Sequence, residues 1–310
     1  MRIVVTGGAG FLGGHLCKRL LDEGNEVVCI DNFITGSHKN IQAFSAHPSF
    51  HLIEHDLTLP FKEDLGEIDQ IYHLASPCSP QDFVQLPLHI LWTNAAGTKT
   101  VLELASKKAA ALVLTSSSAI YGSNHSNPIK ESDYGRVNPV GEMNIYAESK
   151  RFAESMAMMY YRDFRFPFTL VRLFNTYGPH MPAQDHRVIP DFIKAALFDE
   201  PLRVHGDGTQ LRSFCYVDDA IEGLLLAMKA QAIGPINLGS QQPISLNQLA
   251  QTIIQVSDSS SMISHIPLPR EESHRVVPDI TLAREKLGFE SKISLEEGLK
   301  RTIDSIKLAT

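Results

Sequence analysis

The sequence predicts an α/β fold: a doubly wound parallel sheet carrying a smaller C-terminal lobe. Three observations lead there. Through the first half of the chain, short β-branched apolar runs alternate with longer amphipathic segments. The apolar runs are nearly continuous, as expected of strands covered on both faces. After about residue 176, short elements are separated by turn signals: GPHMP, HGDGTQ, AIGP, SQQP and IPLPR.

In order, RIVVT (2–6) reads as a strand, FLGGHLCKRLLDEG (11–24) as a helix and EVVCID (26–31) as a second strand. FHLIEHD (50–56) and QIYHLA (70–75) read as further strands, and LHILWTNAAGTKTVLELASKK (88–108) as one long helix. ALVLTS (111–116) is a strand, YAESKRFAESMAMMYYRDF (146–164) a helix and FTLVRLF (168–174) a strand. Alternation of this kind implies βαβ units. The expected division is a sheet domain at 1–176 and a lobe mainly at 177–310, with about 212–240 returning to the sheet.

The chain has 310 residues, 43% of them apolar and 20% charged, enough for a substantial core. Its net charge of −7, with no run of Lys or Arg, argues against a nucleic-acid or anionic-membrane surface. Cys17, Cys29, Cys78 and Cys215 show no CxxC spacing and read as reduced thiols. No apolar run reaches the roughly 18 residues of a spanning helix, and RIVVT leaves no room for a leader. The expectation is a soluble cytoplasmic protein without a metal. His51 and His55 flank Glu54, but on a strand they lie about 13 Å apart.

TGGAGFLG (6–13) follows the first strand and opens a helix. Gly8, Gly10 and Gly13, or Gly7, Gly10 and Gly13, permit a tight turn and close approach of backbone to a pyrophosphate, whose charge the helix N-terminus favours. Asp31 ends the next strand, where a carboxylate accepts hydrogen bonds from ribose hydroxyls and repels a 2′-phosphate, favouring NAD over NADP. Asp56 ends the third strand and serves either the adenine amino group or a turn cap.

Tyr146 and Lys150 are four residues apart and share one helix face. A phenol titrates near pH 10, so a neighbouring ammonium is needed to make it a base at neutral pH. Ser117 ends a parallel strand, where such sheets place ligands, and its hydroxyl can bridge a substrate hydroxyl and Tyr146.

With HLAS (73–76), RLFNTYGP (172–179), RSFCYVDD (212–219) and NLGS (237–240), these motifs resemble the extended short-chain dehydrogenase/reductase family. Its members have a Rossmann-type fold and modify nucleotide sugars. The resemblance implies that Tyr146 removes a hydroxyl proton while NAD takes the hydride and later returns it. It implies NAD contacts at Gly7, Gly10, Phe11, Leu12, Gly13, Asp31, Asn32, Asp56, Leu57, Leu74, Ala75, Ser76, Tyr146 and Lys150. Asn175, Arg187 and Arg212 match positions that hold the nucleotide diphosphate or base, where an Arg fork suits phosphate. Ser118 joins them at the substrate, and Phe192, Val204 and Tyr216 are expected around the nucleoside. The family's usual homodimer is a four-helix bundle of the helices at 88–108 and 146–164.

Within the family the chain is most similar to the UDP-glucuronate decarboxylases. The likeness is carried by DNFITGSHKNI (31–41), IYHLASPCSP (71–80), VNPVG (137–141), YAESKR (146–151) and RLFNTYGPHM (172–181). Two positions depart from that branch. Ala119 stands where it has a glutamate, and Val276 where it has an arginine, with Arg275 one residue earlier. Two reactions of a UDP-sugar therefore stay open, decarboxylation and inversion at C4. A non-catalytic NAD-binding regulator is the reading from a different class.

Overall fold

The computed structural model describes residues 1–123, 126–141, 144–182, 186–268 and 274–309. The first half runs β1 (Arg2–Thr6), α1 (Phe11–Asp22), β2 (Glu26–Asp31), α2 (His38–Ile41), β3 (Phe50–Glu54) and β4 (Gln70–His73). It continues α3 (Pro80–Gln85), α4 (Pro87–Trp92), α5 (Thr98–Lys108), β5 (Ala111–Ser117), α6 (Ile145–Phe164) and β6 (Phe168–Leu173). Then come β7 (Thr176–Tyr177), α7 (Val188–Leu197), β8 (Leu202–His205), β9 (Leu211–Arg212), β10 (Cys215–Tyr216) and α8 (Val217–Ala230). The chain ends with β11 (Ile233–Leu238), β12 (Ile244–Ser245), α9 (Leu246–Ser257), β13 (Ile263–Ile266), β14 (Arg275–Val276), α10 (Thr281–Leu287) and α11 (Leu295–Ala309).

Seven parallel strands form the central sheet in the order β11-β6-β5-β4-β1-β2-β3. This is the α/β doubly wound sheet the sequence predicts. The strand order reverses between β1 and β4, and at such a point the crevice beyond the strand C-termini is left open for ligands. Both faces are buried, so each strand divides its side chains between two cores. Ile3, Val5, Val27, Cys29 and Val113 pack toward α1 and α8. Val4, Val28, Ile30, Leu112 and Leu114 pack toward α5 and α6, with Val101, Leu102, Ala105 and Ala157. Each such side chain contributes on the order of 1.5–3 kcal/mol, which is why the apolar runs are continuous.

β11 is an edge strand, and its pairing with β6 shifts register between Ile233 and Pro235. An edge is where a strand tolerates proline. α8 packs on β5, β6 and α1, and α10 packs on α8 and β11. Three small sheets complete the described C-terminal part, β10-β7, β12-β9-β14 and β13-β8, with α7 packed on α9.

The single helix expected at 88–108 is instead α4 and α5 joined by a π-helical segment at Thr93–Gly97. A wide turn of this kind often marks a functional site. Here it carries Asn94 into the interior, where its Nδ2 donates to Ser76 Oγ and Ser149 Oγ, both at 3.0 Å.

Candidate active site

Beyond the C-terminal ends of β1, β2, β4, β5 and β6 lies one cleft of about 1680 Å³. A single small-molecule site usually occupies roughly 300–1,000 Å³, so the cleft has room for two ligands end to end. Every residue expected at the cofactor lines it, from Gly7 to Lys150, together with Ser117, Ser118, Asn175, Arg187 and Arg212.

One end is made of backbone. Gly7 has φ +72, and a Cβ there would lie 2.7 Å from Ala75 N. A Cβ on Gly13 would fall 2.0 Å from Gly7 O, so only glycine lets α1 start against the turn. Gly10 caps α1 without a side chain, leaving the first-turn N–H groups without intrahelical acceptors. Asp31 Oδ2 accepts from Ala9 N and Oδ1 from Phe33 N, both at 2.9 Å. Burial pushes its carboxyl up while these backbone donors pull it back. Asn32 Nδ2 donates to Asp56 Oδ2 at 3.2 Å, and Thr58 N donates to Asp56 Oδ1 at 2.9 Å, so Asp56 caps a turn in any case. A glycine cradle, bare helix N–H groups and a carboxylate beyond them fit a dinucleotide. When bound, it brings a hydride acceptor.

The other end is made of side chains. Ser117 Oγ accepts from Ala119 N at 3.2 Å, and Ser117 is near enough to the Tyr146 phenol to favour its ionised form. Lys150 is buried and donates from Nζ to Thr115 O at 3.0 Å, with Nζ 5.9 Å from the Tyr146 ring centroid. Burial lowers its ammonium to about 8, partly offset by Cys78 and Glu154. Burial also raises the Tyr146 phenol above its usual value, with Cys78 adding to that and Ser117 and Arg187 opposing it. This reverses the expected direction, because within the chain alone desolvation outweighs the favourable charges. His73 stands behind the pair, its Nδ1 2.7 Å from Thr6 Oγ1 and its Nε2 3.1 Å from Thr98 Oγ1. Burial, then the Lys150 charge, pushes its imidazole down to about 3, so it is neutral.

Of the residues expected at the substrate, Asn175 donates to Ser213 O at 3.3 Å and Arg212 to Leu211 O at 2.9 Å. Arg187 Nη2 donates to Cys78 O at 2.8 Å and also contacts Cys78 Sγ at 3.1 Å. Two expectations need correction. Val204 is fully buried and lies outside the cleft; β8 alternates, so Arg203 and His205 reach the cleft instead. Tyr216 is also outside it, buried edge-on against Tyr177 with Arg301 over its ring. Phe192 does line the cleft.

Three residues at this end were given no role by the sequence. Phe83 from α3 stacks on Tyr146, centroids 5.1 Å apart and rings inclined at 19°. Cys78 meets Arg187, and Arg136 lines the cleft from the segment that follows Gly135. Ala119 and Val276 line it too and bring no charge. Arg275, one residue from Val276, pairs in register with Leu211 while Val276 pairs with Arg212, so their side chains take opposite faces. Among the described residues, no group of His, Cys, Asp and Glu could hold a metal ion.

Residues 3–239 match the NAD dependent epimerase/dehydratase family. UDP-glucuronic acid decarboxylase 1 of Arabidopsis thaliana is 43% identical over 307 residues, 99% of this chain and 70% of that protein. UDP-glucuronic acid 4-epimerase from Bacillus cereus, solved with UDP-glucuronic acid and NAD, superposes with a TM-score of 0.86 at 29% identity, covering 100% of both chains. UDP-N-acetylglucosamine 4-epimerase from Methanobrevibacter ruminantium M1 gives a TM-score of 0.91 at 27% identity, covering 100% of this chain and 99% of that one. With the glycine cradle, Asp31 and the Ser117–Tyr146–Lys150 group in one cleft, the chain belongs to the NAD dependent epimerase/dehydratase family.

Proposed function

We propose that this protein oxidises C4 of a UDP-sugar, and that the leading reaction is decarboxylation of UDP-glucuronate to UDP-xylose. The 43% identity to a UDP-glucuronic acid decarboxylase over 99% of the chain carries this reading. Ser117, Tyr146 and Lys150 on the wall of one cleft support it. The glycine turn and Asp31 would hold NAD, which would supply the acceptor for the C4 hydride and its return to the ketone after carbon dioxide is lost, completing UDP-xylose. Tyr146 would take the proton of the C4 hydroxyl once the positive charge of the nicotinamide offsets the burial of its phenol, Ser117 orients that hydroxyl, and Lys150 adds positive charge beside it below about pH 8. A ketone at C4 stands β to the C5 carboxylate of a uronate. Carbon dioxide then leaves as its bonding pair passes into an enolate, and a proton replaces it at C5.

A second reading, inversion at C4, is favoured by Ala119 and Val276, because a small neutral wall leaves a ketone room to turn. The purified protein is incubated with UDP-glucuronate, UDP-glucose and UDP-N-acetylglucosamine, and the products are read by mass and NMR. Loss of carbon dioxide supports decarboxylation; unchanged mass with an inverted C4 hydroxyl supports epimerisation. No turnover of any of the three overturns both.

The same reading includes a homodimer in the cytoplasm. Leu88 and Trp92 on α4 and Phe152 and Met159 on α6 are exposed on neighbouring helices, with Trp92 55% and Phe152 54% exposed. Apolar surface on adjacent helices favours burial against a second copy. Trp92→Glu with Phe152→Glu should halve the mass found by light scattering; a wild-type monomer refutes the dimer. All four cysteines are unpaired, as in a reducing compartment. Among the described residues, no helix is long and apolar enough to cross a membrane.

A further inference from the structure

We propose that Arg136 is a specificity-determining residue that grips an acidic group on the sugar, so that the substrate is a uronate whichever reaction follows. The proposal rests on the nucleotide-sugar reading and names the sugar class within it.

Backbone contacts fix where Arg136 stands. Ser117 is followed by a short 3₁₀ helix, Ser118–Tyr121, closed by Gly122 N donating to Ala119 O at 3.1 Å. Gly122 bridges to Arg136: Arg136 N donates to Tyr121 O at 3.0 Å, and Ser123 N donates to Arg136 O at 3.2 Å. A Cβ on Gly122 would fall 1.8 Å from Arg136 O, and one on Gly135 2.5 Å from Tyr121 Cα. Two glycines with positive φ therefore seat Arg136 against the end of the 3₁₀ helix that follows Ser117. Bridged chains lie about 5 Å apart, so the Arg136 backbone stands beside the turn that follows Ser117, which favours the reacting end of the cleft.

Its chemistry is the second argument. Arg136 is exposed and lines the cleft, and its guanidinium has no hydrogen-bond or ion-pair partner among the described residues. The other cations near this end are engaged: Lys150 by Thr115 O and Arg187 by Cys78. Ala119 and Val276, which line the same cleft, carry no charge that would compete for it. A planar guanidinium on a neutral wall takes a carboxylate in two parallel hydrogen bonds. The group on a hexose that answers this description is the carboxylate of a uronate. A neutral CH₂OH offers no charge and gains little from it.

The test separates recognition of the sugar from recognition of the nucleotide. Arg136→Met and Arg136→Lys are prepared as NAD-loaded protein, and UDP, UDP-glucose and UDP-glucuronate are titrated by calorimetry. In Arg136→Met, UDP-glucuronate should bind at least tenfold more weakly, while UDP and UDP-glucose stay within about twofold of wild type; Arg136→Lys should recover part of the loss. Unchanged affinity for UDP-glucuronate overturns the proposal, and so does an equal loss for all three ligands. If wild type binds none of them, the nucleotide-sugar reading itself falls, and the proposal with it.

Discussion

The two ends of the cleft are built from different materials. At the dinucleotide end the groups that would meet a ligand are backbone N–H groups, glycines and one carboxylate already tied to the turn through Ala9 N and Phe33 N. Such a surface is rigid before any ligand arrives. At the sugar end the surface consists of side chains from distant segments: Ser117, Phe83, Tyr146, Arg136, Ala119 and Val276. There the scaffold is a buried polar network. Arg172 pairs with Glu154 in a fork at 3.0 and 2.8 Å, and also donates to Tyr121 Oη at 2.9 Å and Glu131 O at 3.0 Å. Tyr121 in turn donates to Asn237 Oδ1 at 2.6 Å. The first end is fixed in kind by geometry, since the turn there has room for glycine alone at Gly7 and Gly13. The second can change its chemistry by single side chains.

Three substitutions sharpen this contrast, in decreasing order of effect. Tyr146→Phe removes the base and should lower kcat by about 10²–10⁴-fold, while NAD still binds with wild-type affinity by fluorescence titration. Full turnover in that variant would remove Tyr146 from the mechanism. Glu154→Gln leaves the Arg172 charge buried without its carboxylate, because the pair is only 10% and 12% exposed. Breaking such a pair costs about 3–5 kcal/mol, read by urea unfolding, and activity should fall further than NAD affinity. A loss confined to NAD binding would show that the network does not serve the sugar end. Gly7→Ala should act at the other end. A left-handed alanine costs about 1–2 kcal/mol, and its Cβ would crowd Ala75 N, so NAD should bind more than tenfold more weakly with UDP binding unchanged. Equal weakening of both ligands would mean that the two ends are not separable.

Residue by residue, the sequence was readable where local geometry dictates residue type. The strands follow from continuous apolar runs, the cradle from Gly7, Gly10 and Gly13, and Tyr146 and Lys150 from helical spacing. It was less readable where one residue of offset decides the outcome. Val204 was expected near the nucleoside, but strand alternation buries it and turns Arg203 and His205 to the cleft instead. The helix expected unbroken at 88–108 hides a π-helical turn, because neither composition nor period marks where a helix takes in an extra residue.

By itself the sequence determined the parallel sheet, the dinucleotide turn and the pairing of tyrosine with lysine, since each depends on residues close together in the chain. The tertiary structure decided which side chains share the sugar end. Phe83, Ala119, Arg136 and Val276 come from four separate segments, and only packing brings them to one cleft. It also decided the direction of the Tyr146 shift, because burial depends on neighbours that no local spacing reveals.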